Sequence, residues 1–388
     1  MVWIFLSPDF PPNYHLFAWH FKELGGIAAG ISAAPSHALP PHVAQSLSWY
    51  ESVSDLHDTE AVIAAARRIA ERFGRVDGVD SFNEYWLPLE AAIRDALGIP
   101  GPKSADLPAF QQKSQMKAYF QRAGIEPIPG QVARDFADVE AFVEQYKLPI
   151  IAKPDKGVGA SATFKISTTA DLKHFQTSFR PGYLLEKFIT GTIQTYDGLV
   201  DKTGRIVFAA SLEYSRGVAE VVSEDTDIFY WVQREIPLDL QEVGPRIVAA
   251  YGLSARFFHF EFIRSSEDGR LYPLEVNMRP PGYPTVDLFN FAHDIDLYRL
   301  WAEVIHGYPV ASVPPAKYYA CYIARKSSIG YMHTHEEVLR HLQGVLLYDA
   351  PTIPLFRAAM GDHHYIIRTP DKEQMLEMAY FAQKRLTL

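Results

Sequence analysis

Residues 257–279 read FFHFEFIRSSEDGRLYPLEVNMR. Two aromatic-rich apolar runs flank a polar centre ending in Gly269, the composition of a β-hairpin. Glu267, Asp268 and Gly269 suit a three-residue loop, a type I turn closed by a left-handed glycine. Ser266 then faces Arg270, and counting back along both strands sets Glu261 opposite Glu275 and His259 opposite Asn277. The two-residue period puts all four on one face. Two carboxylates directly across a sheet repel unless something positive lies between them. A divalent cation answers this, and two carboxylates with one amide, completed by phosphates and water, make a hard-oxygen shell suited to magnesium. Arg279, next on the same face, offers a fork for an anionic oxygen. The flanking Phe257, Phe258, Phe260, Phe262 and Leu274 place the strand inside the protein rather than on a solvated face.

The rest of the chain supports a multi-unit globular protein. Its 388 residues exceed the usual size of one core. With 48% hydrophobic residues, 21% charged residues and no long charge block, nothing points to disorder. A net charge of −9 argues against a sequence-independent nucleic-acid binder. A single cysteine, Cys321, excludes an intramolecular disulfide and a multi-cysteine zinc site, which fits a cytoplasmic location. The start, MVWIFLSPDFPP, lacks a basic region and is broken by prolines, so it does not read as a signal peptide, and no apolar run is long enough to span a membrane.

Residues 1–103 alternate strand-like and helix-like segments, the pattern of a parallel, Rossmann-like α/β domain, with Gly25 and Gly98 just past their helices. No glycine fingerprint follows the first strand, so this unit is not expected to bind a dinucleotide. Residues 104–310 read as α+β, beginning with the helix AFQQKSQMKAYFQRAG and ending in the hairpin, and residues 311–388 as a smaller α+β unit. GVGASA, from Gly157 to Ala162, matches a dinucleotide loop formally, but the strand-like TFKIS follows it where a helix is required. A glycine loop between two strands is instead a flap whose N–H groups can close on phosphates. Lys153 ends an apolar strand just before it, and Lys113 and Lys117, four apart, share a helix face. Glu186 to Ile189 end an amphipathic strand that could offer backbone groups to an adenine.

Taken in order, these residues resemble the ATP-grasp superfamily from about Lys103 to Val310. In that resemblance Lys113 and Lys153 are nucleotide lysines. Gly157, Gly159 and Ser161 belong to the glycine loop of a lid subdomain spanning about 124–188, and Glu186, Lys187 and Ile189 form the adenine hinge. Glu261, Glu275 and Asn277 match the metal ligands, and Arg279 the catalytic arginine. The fold it implies is an N-terminal pre-ATP-grasp domain, an ATP-grasp domain and a small C-terminal unit. The cofactors it implies are ATP and Mg²⁺, with Mn²⁺ as a substitute.

The chain departs from the pattern at Ile193 and Gln194, near which many members carry a ribose-binding Glu, and at Pro280 and Pro281, where a glycine pair is common. Of the subfamilies, single-chain carboxylate–amine ligases of the amino-acid type, and carbamoyl phosphate synthase large-chain-like proteins, are the most similar. The resemblance implies an ADP-forming ligase that activates a small carboxylate as an acyl phosphate for attack by an amine. Carboxyphosphate-forming or kinase-like chemistry, and a silent nucleotide-binding regulator, stand as alternatives. The expected partners are small molecules, not nucleic acid or membrane, with a homodimer left open. Glu84 and Asp287 are candidates to hold an amino group, although helix packing and capping are the ordinary roles for Glu84. His333, His335, His363 and His364 read as surface or core histidines, because H-T-H and H-H put neighbours on opposite sides of a strand and no carboxylate pattern joins them.

Overall fold

The computed structural model describes residues 1–157 and 162–386. Three sheets carry the architecture. In the first, strands Trp49–Ser52, Ile27–Ser32, Val2–Leu6 and Gly78–Asp80 lie side by side and all parallel. Helices Thr59–Phe73 and Leu87–Leu97 pack on it through Val62, Ala65, Ile69, Leu89 and Ile93, the apolar stripe that the helical period brings together. Gly98 closes the second helix in the left-handed conformation. The second sheet is small and antiparallel, in the order Gly130–Ala133, Tyr183–Lys187, Ile150–Pro154 and Phe164–Ile166.

The third sheet is the frame of the molecule. Its edge is the hairpin Arg256–Ser265 and Leu271–Asn277, and Arg256–Ser265 pairs along its whole length with Gly191–Val200. Phe258, Phe260 and Phe262 alternate onto one face and pack with Tyr196, Val276 and Met278 against helices Lys113–Arg122 and Leu238–Tyr251. A Cβ at Gly198 would come within 2.3 Å of the Phe208 carbonyl and 2.5 Å of the Phe258 ring, so only glycine lets these strands approach. The C-terminal strands Tyr319–Arg325, His363–Thr369 and Leu346–Pro351 continue this same sheet.

Two local expectations fail. The hairpin loop has four residues rather than three, since Ser265 N–H bonds to the Arg270 carbonyl at 2.9 Å. The resulting one-residue slip is undone by a β-bulge at Leu274, so Phe262 faces Pro273 while Glu261 still faces Glu275 and His259 still faces Asn277. Pro273 cannot donate to a ladder, and a bulge is where a strand tolerates it. The helix expected over AFQQKSQMKAYFQRAG is broken at Gln112, which is extended and bridges Lys156, leaving Leu107–Gln111 and Lys113–Arg122. Lys113 therefore starts a helix instead of lying inside one.

The N-terminal domain is locked to the hairpin by buried charge. Arg256 lies 3.8 Å from Asp80, while Arg94 bonds to Glu90 at 2.9 Å. Burial pushes the Asp80 carboxyl up to about 6, with Glu90 adding to it and Arg256 and Arg94 opposing it. The same interface shares an aromatic core in which Phe5, Phe17 and Phe82 meet Phe257, Tyr298 and Trp301. These contacts carry Glu84, two residues beyond Phe82, to the hairpin.

Candidate active site

Lys113 is set by the loop that follows strand Ile150–Pro154. Its own N–H donates to the Asp155 carbonyl at 2.9 Å, and the Asp155 carboxylate takes Ser114 N–H and Oγ–H, each at 2.7 Å. A carboxylate there also meets the positive end of the helix. The Lys113 ammonium is buried, 3.2 Å from Glu275 Oε1, and donates to the Gly157 carbonyl at 3.0 Å. Gly159 and Ser161 lie outside the described residues.

Lys153 is also buried, and its ammonium stands 2.6 Å from Glu186 Oε2. Lys117 bonds to the other oxygen of Glu186 and, at 2.7 Å, to the Ile128 carbonyl. Burial opposes the Lys153 charge, but Glu186, then Glu275 and Glu261, outweigh it and hold its pKa above the ordinary range. Burial likewise raises Glu186, and the two lysines outweigh it, so its carboxyl is held below the usual carboxylate range. The Glu186 side chain is thus a counter-ion to two lysines. Lys187 turns its side chain to solvent and donates its N–H to the Pro129 carbonyl at 3.0 Å, and Ile189 is half-buried just beyond.

On the hairpin face the carboxylate pair is already offset within the chain. Lys113 serves Glu275, and His259 Nε2 lies 3.1 Å from Glu261 Oε1. The other ring nitrogen, Nδ1, is 2.5 Å from Oδ1 of the buried Asp197, whose second oxygen accepts from Thr195. Burial lowers the imidazole, but Asp197 and Glu261 outweigh it and push it up to about 9, so both nitrogens donate at neutral pH. The repulsion that alone suggests a cation is therefore met by protein groups. What fits a hard cation is the donor set, two carboxylates and the amide of Asn277. Asn277 Oδ1 accepts from Arg279 at 3.3 Å, and its Nδ2 is a buried donor with no partner among the described residues. An orphaned buried donor beside lysines and an arginine is suited to an acceptor such as a phosphate oxygen.

Arg279 reaches across to the N-terminal domain, where its Nη2 is 3.4 Å from Glu84 Oε2. Burial pushes the Glu84 carboxyl up to about 7; Arg279 opposes this and Glu275 adds to it. Asp287 does not join the cleft with free oxygens. It accepts from Asn13 Nδ2 at 2.7 Å and Tyr298 OH at 2.8 Å, bracing the segment after Arg279. Lys113, Lys153, Glu186, Glu261, Glu275, Asn277 and Arg279 are thus linked by direct contacts or mutual charge into one region. The Asp197–His259–Glu261 relay and the Ser114–Asp155 clasp were not foreseen. His259 facing Asn277 was the one available sign of the relay.

No family model matches the chain. Solved structures do resemble it over nearly its whole length. An L-amino acid ligase from Bacillus licheniformis superposes with a TM-score of 0.72 at 16% identity, covering 97% of this chain and 95% of that one. An N5-carboxyaminoimidazole synthetase from Staphylococcus aureus complexed with ADP gives 0.71 at 14%, covering 98% and 96%. A biotin carboxylase–β,γ-ATP complex from Campylobacter jejuni gives 0.66 at 17%, covering 99% and 91%. These are ATP-grasp proteins, and the chain described here has the ATP-grasp fold.

Proposed function

We propose that this protein is an ATP- and Mg²⁺-dependent, ADP-forming ligase that joins a small carboxylate to an amine. The observation that carries the reading is the convergence of Lys113, Lys153, Glu261, Glu275, Asn277 and Arg279, with Glu84 closing the far side. Lys113 and Lys153 each hold one carboxylate and keep N–H donors for phosphate oxygens. Glu261, Glu275 and the Asn277 oxygen would hold the metal ion, which would neutralise charge on the triphosphate. The segment from Lys187 to Ile189 would meet the adenine through backbone groups other than the Lys187 N–H, which the Pro129 carbonyl already takes. Gly157, whose carbonyl accepts from Lys113, begins the glycine-rich stretch of the sequence.

In the first step a substrate carboxylate oxygen attacks the γ-phosphorus and ADP leaves, giving an acyl phosphate. In the second an amine nitrogen attacks the acyl carbon, phosphate leaves with that oxygen, and the amine loses a proton. Arg279 stabilises charge on the phosphoryl group of the acyl phosphate and on the tetrahedral adduct of the second step. Glu84 favours an amino acid over bicarbonate as the activated carboxylate, because a buried carboxyl 3.4 Å from Arg279 complements a molecule with an ammonium beside its carboxylate.

Incubation with Mg-ATP and pooled amino acids tests the reading. Amino-acid-stimulated release of ADP and phosphate, lost in Glu275→Gln, is the expected result. ADP release that depends on bicarbonate alone, or tight nucleotide binding with no turnover on any pool, would contradict it.

A further inference from the structure

The C-terminal unit gathers metal-ligating side chains that take no part in the lysine–carboxylate cleft. Strands Leu346–Pro351 and His363–Thr369 pair antiparallel, with Asp349 opposite Tyr365 and Pro351 opposite His363. Asp349, His363 and Tyr365 consequently share one face. The adjacent His364 points the other way, buried and stacked 4.8 Å from the Tyr322 ring. Helix His335–His341 begins over the outer face, its first turn fixed by a capping box between Thr334 and Glu337. His333 turns away and stacks on Phe381 at 3.7 Å, so only the second histidine of H-T-H enters the cluster.

One ligand atom from each of His335, Asp349 and His363 lies within 4.8 Å of the others. Asp349 Oδ1 is 2.5 Å from His363 Nε2, and its Oδ2 is 3.7 Å from His335 Nε2. The remaining nitrogen of His335, Nδ1, is bonded to the Tyr365 hydroxyl at 2.7 Å. That bond fixes the ring and leaves Nε2 facing Asp349, the outer partner that metal-binding histidines generally possess.

We propose that His335, Asp349 and His363 form a binding site for a divalent transition-metal ion, with Zn²⁺ as the reference ion, separate from the Mg-nucleotide site. Two imidazoles and one carboxylate suit zinc and its neighbours, whereas magnesium prefers an all-oxygen shell. Bonds of about 2.1 Å in a tetrahedron set ligand atoms about 3.4 Å apart. The His363–Asp349 contact opens by about 1 Å and His335 closes, within the reach of side-chain torsions. All three side chains are partly exposed, which gives the ion an entry path. Three protein ligands leave a fourth position for water or an exogenous ligand.

The test uses the full chain, stripped with a chelator, dialysed and titrated with Zn²⁺ by calorimetry, with Co²⁺ absorption as a second readout. One ion per chain is expected, with the visible bands of four-coordinate Co²⁺. His335→Ala and His363→Ala should each remove the stoichiometric event, Tyr365→Phe should weaken it about 10–100-fold, and Glu275→Gln should leave it unchanged. Melting of each variant without metal shows that it folds. The proposal is overturned by the absence of stoichiometric binding, by binding that survives His335→Ala and His363→Ala, or by loss of binding in Glu275→Gln, which would put the ion in the cleft.

Discussion

Replacing Lys153 by Met separates two roles of one ammonium. Lys153 is buried 2.6 Å from Glu186 Oε2, and Lys117 holds the other oxygen. Removing one member of a buried pair costs about 3–5 kcal/mol when the remaining charge is stranded. Lys117 still faces Glu186, so the loss expected is that of one charge-assisted hydrogen bond, about 1.5–3 kcal/mol. The same ammonium has further donors for a phosphate oxygen, and losing that contact weakens ATP binding by about 10–150-fold. Lys153→Met with Glu186→Gln also takes the carboxylate from Lys117, so the double variant restores no stability while ATP affinity stays low.

Acid sharpens the comparison. The Glu186 carboxyl is depressed in the fold, so its stabilisation is present above the unfolded pKa and disappears as pH falls through the folded one. The double variant lacks that acid-dependent loss. Urea unfolding and calorimetric ATP titration read the two quantities separately. A single variant that loses stability yet binds ATP as the wild type does would make Lys153 a counter-ion to Glu186 and nothing more.

Three further outcomes follow from the site. Glu84 protonates as pH falls through about 7, so KM for an amino acid should rise below that pH. Glu84→Gln should flatten this profile and lower kcat/KM about 10–100-fold, measured by coupled ADP release. His259→Gln removes the donor that orients Glu261 and should raise the Mg²⁺ concentration for half-maximal turnover about 10–100-fold, with metal-free nucleotide binding unchanged in a dye-displacement titration.

Much of this arrangement is visible in the sequence because it rests on local periodicity. The two-residue period is enough to recognise the hairpin and its polar face, and the βα alternation of residues 1–103 is enough for a parallel sheet, whereas Glu261 meets Glu275 only with the help of a bulge. The turn length and the bulge at Leu274 escape that reading because their offsets cancel; Pro273 was the sign that a regular ladder could not continue. The break at Gln112 escapes because it depends on pairing with Lys156, far along the chain. Asp349 joins His335 and His363 only when two strands pair and a helix docks over them. Glu84 meets Arg279 only when two domains share a core, and no local pattern of either segment encodes that contact.

If a carboxylate is phosphorylated and its acyl group then passes to an amine, one carboxylate oxygen must leave with the phosphate, and oxygen tracing follows it. The wild-type protein, Mg-ATP, an amine and the activating amino acid labelled with ¹⁸O in its carboxylate are incubated together, and the released phosphate is analysed by mass. One labelled oxygen per phosphate is expected, in step with ADP and amide formed. Unlabelled phosphate accompanying amide formation, or AMP and pyrophosphate in place of ADP, would contradict it.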